Sequence, residues 1–262
     1  MEIVLAKEEN DKYRAPALDK GLDILELLAE SPAGLTQIDI AKGLGKAANE
    51  IYRMLTTLVR RNYVTQSPDG NKYMLSLKLM VLANKHPPKR RILDIAEPLM
   101  RCAAQDSEQS CHLSLWDDGN VVIASAFSAP GNWRLSLRPG SIVGLYNTGS
   151  GHVLAAFQTE ERLEKMLHEH LLAEGEPKIQ SEDFKKSLSK VRKQGHLISH
   201  SQTVRGVFNI SFPILDPSGN AIAALTCPFV ERIDDFKSLS LDEVTAIFRK
   251  AAIEIGQQIS GV

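Results

Sequence analysis

The sequence predicts an α+β protein with two parts: a winged helix-turn-helix near the N-terminus and a larger domain built on a mainly antiparallel sheet. Residues 34–75 have the pattern of two short helices followed by a hairpin. An excess of positive charge coincides with that segment, and strand-like alternation bounded by turn residues begins after residue 110. At 262 residues the chain is long enough for two domains.

A helix is predicted to begin at Pro16, because proline is favoured in the first turn of a helix. Residues 31–34 would end it. Ile24 and Leu27 lie off its main apolar face, so they belong either to the core or to a contact between copies of the chain. The main face, predicted to be buried, consists of Leu18, Leu22, Leu25 and Leu28.

The first helix of the helix-turn-helix is predicted to start at Thr36, with Asp39 completing a capping box three residues later. Gly43 and Gly45 would break this helix and form the turn. Its apolar residues recur at three-residue spacing: Ile38, Ala41 and Leu44.

A second helix is predicted from Ala47, with Ile51, Met54, Leu55 and Leu58 on its buried side. The opposite side is a polar stripe at helical spacing, free to touch another molecule: Asn49, Arg53, Thr56 and Arg60.

The hairpin that follows is the predicted wing. Residues 63–66 and 72–75 flank a turn in which Pro68 fixes φ and Gly70 tolerates a positive φ. Residues 75–85 again show helical spacing, and a linker helix is predicted from about residue 92.

Charge is unevenly distributed along the chain. Residues 34–91 carry 11 basic and 3 acidic side chains, a net charge of +8, whereas residues 1–33 sum to −4 and residues 92–262 to −5. A basic block that coincides with a helix-turn-helix is the electrostatic footprint of contacts to a phosphate backbone. The sequence therefore predicts that this part of the chain binds double-stranded DNA.

The remaining chain predicts an antiparallel sheet with helices. Strands are expected at residues 111–116, 121–124, 133–137, 195–198, 207–214 and 221–226, and helices at residues 160–172, 182–194 and 241–259. Cys102, Cys111 and Cys227 form neither a disulfide framework nor a metal motif, so no metal or cofactor is predicted. With no membrane-length apolar run and no signal peptide in the sequence, we expect a cytoplasmic protein.

Several short motifs, taken in order, resemble the IclR family of bacterial transcriptional regulators. In the first part these are residues 17–25, the GLT at residues 34–36 and residues 52–58. In the second part, residues 138–140 and 147–156 resemble the family's RPG and TASGKALLA segments, and Gly195 with residues 205–214 resembles its G-Y…PGVRCIAAPV segment. Residues 216–219 and 223–226 complete the resemblance, which runs from about residue 15 to 260.

The resemblance implies a GAF-like effector domain, homodimers formed through the DNA-binding domains, often homotetramers, and a small organic effector that changes operator affinity. The domain limits we expect are 1–14 for a flexible arm, 15–85 for the winged helix-turn-helix, 86–106 for the linker and its helix, and 107–262 for the effector domain. A repressor is favoured over an activator, and the effector is expected to be a carboxylate or an aromatic metabolite.

The candidate DNA contacts follow from the polar stripe and the motif around it. Glu50 would accept a hydrogen bond from a cytosine amino group or simply cap its helix. Base contacts are expected mainly from Asn49, Tyr52, Arg53 and Thr57, and phosphate contacts from Lys46, Arg60 and Lys72. The full candidate set is Thr36, Gln37, Lys46, Asn49, Glu50, Tyr52, Arg53, Thr57, Arg60 and Lys72.

The candidate effector site centres on residues 148–151, which precede a helix expected at His152. Free backbone N–H groups and the helix dipole there favour a carboxylate, although the glycines also fit an ordinary tight turn. Asn209, Ser199 and His152 stand where the family commonly has Cys, Asp and Lys, so we expect a retuned pocket. The candidate set is Leu145, Asn147, Thr148, Gly149, Ser150, Ser199, Asn209 and Thr226.

Two alternatives to an effector-controlled regulator remain. One is a DNA-tethered metabolic enzyme, for which His112, His152, His196 or His200 would act with Cys111 or Cys227; these residues lack triad or metal-helix spacing. The other is a winged helix that binds protein and not DNA, which the +8 segment disfavours.

Overall fold

The computed structural model describes residues 15–85, 87–132, 134–234 and 238–261. The chain divides into two compact units, Met1–Pro87 and Pro88–Val262, and each is considered by itself. The predicted arm over residues 1–14 lies outside the described residues, as does Trp133. The exact limits of the predicted domains stay a prediction.

Unit 1 contains the predicted helix-turn-helix and wing. The two wing strands are antiparallel, and Leu35 adds a bridge to Tyr73, so that three short segments form the base of the wing. Gly34 has φ +70° and lies against Met74 and the Tyr73 carbonyl, which explains a glycine there. The elements are α1 Pro16–Ala29, α2 Gln37–Gly43, α3 Ala48–Arg60, β1 Val64–Gln66, β2 Tyr73–Leu75 and α4 Lys78–Asn84.

The core of unit 1 differs from the predicted one at two helices. In α1 the prediction that Leu18 and Leu22 are buried is wrong, since they are 61% and 47% exposed, while Ile24 is fully buried. In α2 Ile38 is 74% exposed and Ile40 takes its place in the core. Short helices rich in apolar residues offer two adjacent faces, and the packing of three helices against each other selects one. The core residues are Ile24, Leu28, Ile40, Ala41, Ile51, Leu55 and Val64.

Unit 2 is built on one six-stranded sheet in the order β5-β4-β3-β8-β7-β6, with every pairing antiparallel. The predicted α+β class is confirmed, and the likeness to a GAF domain stays a prediction. The elements are α5 Pro87–Ser107, β3 Cys111–Asp117, β4 Asn120–Phe127, β5 Ile142–Val143, α6 Gly149–Ala156, α7 Glu160–Glu169, α8 Ser181–Gln194, β6 Leu197–His200, β7 Val207–Leu215, β8 Ala221–Val230 and α9 Leu241–Ser260.

Three predicted elements of the chain are corrected by the structure. Residues 134–137 form no strand; the sheet edge is β5, which pairs with Val121 and Val122 of β4. The helix predicted over residues 75–85 begins only at Lys78, because Leu75 belongs to the wing. The linker helix starts at Pro87 and not near residue 92, since a helix tolerates proline in its first turn.

Strand alternation separates the two faces of the sheet. Ile210, Phe212 and Ile214 of β7 point to one face, where they share a core with Met100 of α5 and Phe248 of α9. The intervening residues of β7 therefore point to the opposite face. That face is covered by α6, α7 and α8, and their apolar residues form a second core. The N-terminus of α6 consequently lies over the polar residues of β7.

Candidate DNA-binding and effector-binding sites

The predicted polar stripe of α3 is exposed along its whole length. Arg53 and Arg60 form no salt bridge with any residue that the structure describes, and Tyr52 is 55% exposed. The hydroxyl of Thr57 donates to the Arg53 carbonyl oxygen at 2.9 Å, so it is already bonded within its own helix. Within the described residues no side-chain hydrogen bond or salt bridge engages the two arginines or Asn49, so their polar groups can contact a nucleic acid.

The three carboxylates of the basic block are all engaged locally. Asp39 accepts from the Thr36 hydroxyl at 2.7 Å, and Asp69 accepts from the Ser67 hydroxyl within the wing turn. Glu50 accepts from the Lys20 ammonium at 2.7 Å and from the Ala47 backbone N–H at 3.3 Å. These hydrogen bonds lower the pKa of all three carboxyls, led by the bonds from Thr36, Ser67 and Lys20 respectively. The bond from the Ala47 N–H is the one that capping of α3 by Glu50 requires.

The remaining predicted DNA contacts lie around the ends of α2 and α3. Thr36 and Asp39 form the complete capping box of α2. Gln37 donates its side-chain amide to the Ala48 carbonyl oxygen at 3.0 Å, which ties α2 to the start of α3. Lys46 and Lys72 are exposed. Each candidate is thus on the surface or at its edge.

A cavity of about 520 Å³ opens at the N-terminus of α6. Leu145 is fully buried in the core and does not line this cavity, whereas Ser199 lines a neighbouring cavity of about 430 Å³. The cavity brings together six of the eight predicted effector residues: Asn147, Thr148, Gly149, Ser150, Asn209 and Thr226.

The first turn of α6 is held close to the sheet by its glycines. A Cβ at Gly149 would overlap the Ser211 hydroxyl, and a Cβ at Gly151 would overlap the backbone of Leu145. Thr148 caps the helix by accepting from the Gly151 N–H at 3.0 Å. The N–H groups of Gly149 and Ser150 have no acceptor among the residues that the structure describes. They give the cavity two free donors at the positive end of the helix dipole.

A buried polar network forms the floor of the cavity, and sequence reasoning missed most of it. The Ser150 hydroxyl oxygen of α6 lies 3.2 Å from Nε2 of His112, 3.0 Å from the Ser114 hydroxyl oxygen and 2.9 Å from the Thr226 hydroxyl oxygen. The Thr226 hydroxyl in turn donates to the Ser211 hydroxyl oxygen at 2.9 Å. The alternation of β3 was the available signal, because it places His112 and Ser114 on one face of the strand. Burial lowers the pKa of His112 to about 4, so its ring is neutral at physiological pH.

The walls of the cavity are loops with exposed apolar side chains. Leu137, Ile142 and Val204 are 37%, 52% and 44% exposed where they line the cavity. Glu174 contributes a carboxylate, while no lysine or arginine of the described chain lines this cavity. An anionic ligand would therefore be held by helix N–H groups and neutral side chains.

A buried ion pair fixes the loop that carries Glu174. His170 and Glu176 have side chains that are 2% and 0% exposed, with Nε2 3.0 Å from a carboxylate oxygen. Glu176 also accepts from the backbone N–H groups of Tyr146 at 2.6 Å and Ala173 at 2.9 Å. The pair thus joins this loop to the segment just before α6.

The histidines considered for catalysis do not converge on a metal site. His196 stacks on Phe212 and His200 lies against Phe208, with ring centroids 5.1 and 4.2 Å apart. Within the described ranges no group of three or more potential ligands could hold a metal ion. None of the helices described there is long and apolar enough to cross a membrane.

A basic winged helix-turn-helix joined to an α+β unit with a ligand-sized cavity is the architecture of a DNA-binding transcriptional regulator. The chain belongs to the IclR family: the model of the bacterial transcriptional regulator IclR C-terminal domain matches residues 88–257, and the IclR helix-turn-helix model matches residues 17–68. Members of this family are transcriptional regulators and not enzymes, which confirms the preference for a regulator over a DNA-tethered enzyme.

Individual relatives agree with this assignment. The chain is 27% identical to the HTH-type transcriptional regulator KdgR of Escherichia coli over 92% of this chain and 91% of that protein. It is 24% identical to the transcriptional repressor IclR of the same organism, over 94% and 90%. Among solved structures, the IclR of Thermotoga maritima has a TM-score of 0.72 at 24% identity, covering 93% of this chain and 98% of that one. An IclR homolog of Microbacterium hydrocarbonoxydans, solved with 4-hydroxybenzoate, has a TM-score of 0.77 at 20% identity, covering 94% and 100%.

Proposed function

We propose that this regulator is a repressor whose affinity for its operator is changed by a small carboxylate or aromatic acid bound at the N-terminus of α6. The observation that carries the proposal is the cavity of about 520 Å³, which has two free backbone donors at a helix N-terminus and apolar walls. Two relatives are described as repressors, IclR of Escherichia coli and the acetate operon repressor of Salmonella typhimurium, and they support a repressor over an activator.

On the DNA side, α3 would lie in the major groove with Asn49, Tyr52 and Arg53 toward the bases. Lys46, Arg60 and Lys72 would bind phosphates and fix the register. Thr36, Gln37, Glu50 and Thr57 complete the proposed interface, with Glu50 acting mainly on the helix end and Thr57 through its methyl group, since its hydroxyl is bonded to its own helix.

On the effector side, a carboxylate would accept hydrogen bonds from the N–H groups of Gly149 and Ser150. Asn209, whose Cβ lies near Gly149, would add a neutral donor from β7. Leu137 and Val204 would cover an apolar ring. The structural neighbour solved with 4-hydroxybenzoate makes single-ring acids the first compounds to test.

The proposal includes homodimers, and homotetramers built from them. Exposed apolar side chains on unit 1 support a contact between copies of the chain: Leu18 and Leu22 on α1, and Leu79 and Leu82 on α4, are each at least 40% exposed. A ligand can then act by binding two arrangements of the assembly with different affinity.

The test uses DNA fragments selected from a random library by the wild-type protein. Arg53→Ala should weaken binding about tenfold to hundredfold, because a base-contacting arginine is worth about 1–3 kcal/mol. Arg162→Ala, on the exposed face of α7 in unit 2, serves as the control and should bind as the wild type does. Wild-type affinity of Arg53→Ala in a gel-shift assay would disprove the assignment of α3.

The effector side is tested with the same DNA after a thermal-shift screen of small carboxylates and aromatic acids. Asn209→Ala should weaken the effect of the strongest hit on operator binding, with ligand-free DNA affinity unchanged. An effector titration identical to that of the wild type would place the ligand elsewhere.

A further inference from the structure

His112 lies in the floor of the proposed effector site, and its side chain is 5% exposed. Leu113 packs in the core with α5 and α9, so its neighbours His112 and Ser114 point to the opposite face, toward α6. His112 pairs with Thr226 across β3 and β8, and Thr226 pairs with Ser211 across β8 and β7. These three side chains therefore form one polar row across the sheet.

The hydrogen bonds of this row determine which ring nitrogen of His112 carries the proton. Thr226 donates its only proton to the Ser211 oxygen at 2.9 Å. Ser150 must then be the donor in its 2.9 Å bond to Thr226. With that proton committed, Ser150 can only accept in its 3.2 Å contact with His112 Nε2. The imidazole is therefore protonated on Nε2, and Nδ1 is a hydrogen-bond acceptor.

That acceptor is unsatisfied. Nδ1 of His112 is buried and has no hydrogen-bond partner among the residues that the structure describes. The ring stays neutral at physiological pH because burial lowers its pKa, so protonation does not remove the acceptor. A buried acceptor without a partner destabilises the free protein, and a donor supplied by a ligand would offset part of that effect.

Resting on the effector site proposed above, we propose that His112 is a ligand-contacting residue that selects acids carrying a hydroxyl or N–H donor. The carboxylate would lie on the N–H groups of Gly149 and Ser150, and the donor would bond to Nδ1 of His112. Ser150 connects the two positions, since its backbone faces the carboxylate while its side chain holds the His112 ring. The effector class is therefore a hydroxy acid or a related acid with an N–H group, and not a plain carboxylate.

The first experiment compares matched acids on the full chain by isothermal titration calorimetry at pH 7.5. The probes are benzoate, its three hydroxy isomers and the three corresponding methoxybenzoates, together with propionate and lactate. At least one hydroxy acid should bind about tenfold more tightly than its plain or methoxy analogue, which is the worth of one hydrogen bond. Equal affinities within every matched pair would overturn the proposal, because an ordered water would then satisfy Nδ1.

Two substitutions distinguish the contribution of Nδ1 to ligand selection from that of Nε2. His112→Gln places an amide near Nε2, keeps a donor for Ser150 and removes the acceptor. His112→Asn places an amide oxygen near Nδ1 and removes the bond to Ser150. Discrimination between hydroxy and plain acids should disappear in His112→Gln and persist in His112→Asn, and the reverse pattern would overturn the proposal.

Nitrogen NMR of histidine-labelled wild-type protein tests the same contact without any substitution. The resonance of an unprotonated Nδ1 should move when the preferred hydroxy acid binds and should stay in place with its methoxy analogue. A protonated Nδ1 in the free protein would overturn the proposal outright.

The two proposals fail in distinguishable ways. If plain and hydroxy acids bind equally well and both change operator affinity, the role of His112 is wrong and the effector site stands. If no acid of the panel binds and Asn209→Ala leaves every effector titration unchanged, the site itself is wrong and the role of His112 falls with it.

Discussion

The His170 and Glu176 side chains illustrate how two residues can hold a loop beside a cavity. Nδ1 of His170 is 3.0 Å from the Gly119 carbonyl oxygen, and Nε2 is 3.0 Å from the Glu176 carboxylate. Both partners are acceptors, so this geometry requires a proton on each nitrogen. Burial opposes the charge on both groups, but their hydrogen bonds and mutual attraction outweigh it, so the pKa of His170 is raised and that of Glu176 is lowered.

Replacing Glu176 by glutamine should therefore reduce stability in a pH-dependent way. The raised pKa of His170 contributes stability that is complete below about pH 6.5 and is lost as the pH rises through the folded-state value. The lowered pKa of Glu176 contributes stability above about pH 4.5 that is lost as the pH falls. We expect Glu176→Gln to lower the free energy of unfolding by about 2 kcal/mol at pH 6 and by less at pH 9.

Urea denaturation at both pH values measures this difference. Glu164→Gln removes the carboxylate that pairs with Lys185 on the surface and is the matched control, with an unfolding curve close to that of the wild type. A Glu176→Gln effect that is the same at pH 6 and pH 9 would contradict a charged His170.

Among the elements, α6 depends most on small residues. Its first turn packs so closely that Gly149 lies against a side chain, Ser211, while Gly151 lies against the backbone of Leu145. A side chain can rotate away from an added methyl group, whereas a backbone segment buried in the core cannot.

Gly151→Ala should consequently be more destabilising than Gly149→Ala. We expect Gly151→Ala to lower the free energy of unfolding by about 3 kcal/mol, and Gly149→Ala by about 1–2 kcal/mol. Gly131, around which the described structure leaves open space, is the control, and Gly131→Ala should be neutral or slightly stabilising. Equal thermal shifts for the three variants would show that α6 does not need this close approach.

Some elements were predictable from sequence and others were not, for identifiable reasons. The hairpin β3–β4 was predictable because its turn residues and alternation are local. The edge strand β5 was not, because its two residues, Ile142 and Val143, owe their strand geometry to pairing with β4. In α1, periodicity alone could not decide between the face of Leu18 and that of Ile24, which packing placed in the core.

At the scale of the whole molecule, the distribution of charge matters more than its sum. The chain has a net charge of only −1, yet residues 34–91 carry +8. The carboxylates of Asp39, Glu50 and Asp69 are bonded within that block, so they do not compete with phosphates as free anions.

Operator binding should therefore depend strongly on salt despite the near-neutral chain. Each phosphate contact contributes about −0.9 to the slope of log K against log salt concentration. Lys46→Ala should reduce the steepness of the slope by about one for each bound protomer and weaken binding to all sequences alike. Lys193→Ala, an exposed lysine of α8 in unit 2, is the control and should leave the slope unchanged. A slope near zero for the wild type would contradict DNA binding through this face.

The sequence by itself determined the winged helix-turn-helix, its basic charge, the antiparallel sheet and the motifs around residues 147–156, because each depends on local spacing and composition. It also indicated residues 148–151 as a candidate effector site before a helix expected at His152, and the structure starts that helix at Gly149. Only the tertiary structure decided what lies beneath that helix. His112, Thr226 and Ser211 come from three strands far apart in the chain, and their common row exists only because the pairing register of β3, β8 and β7 aligns them on one face, which Ser114 of β3 shares.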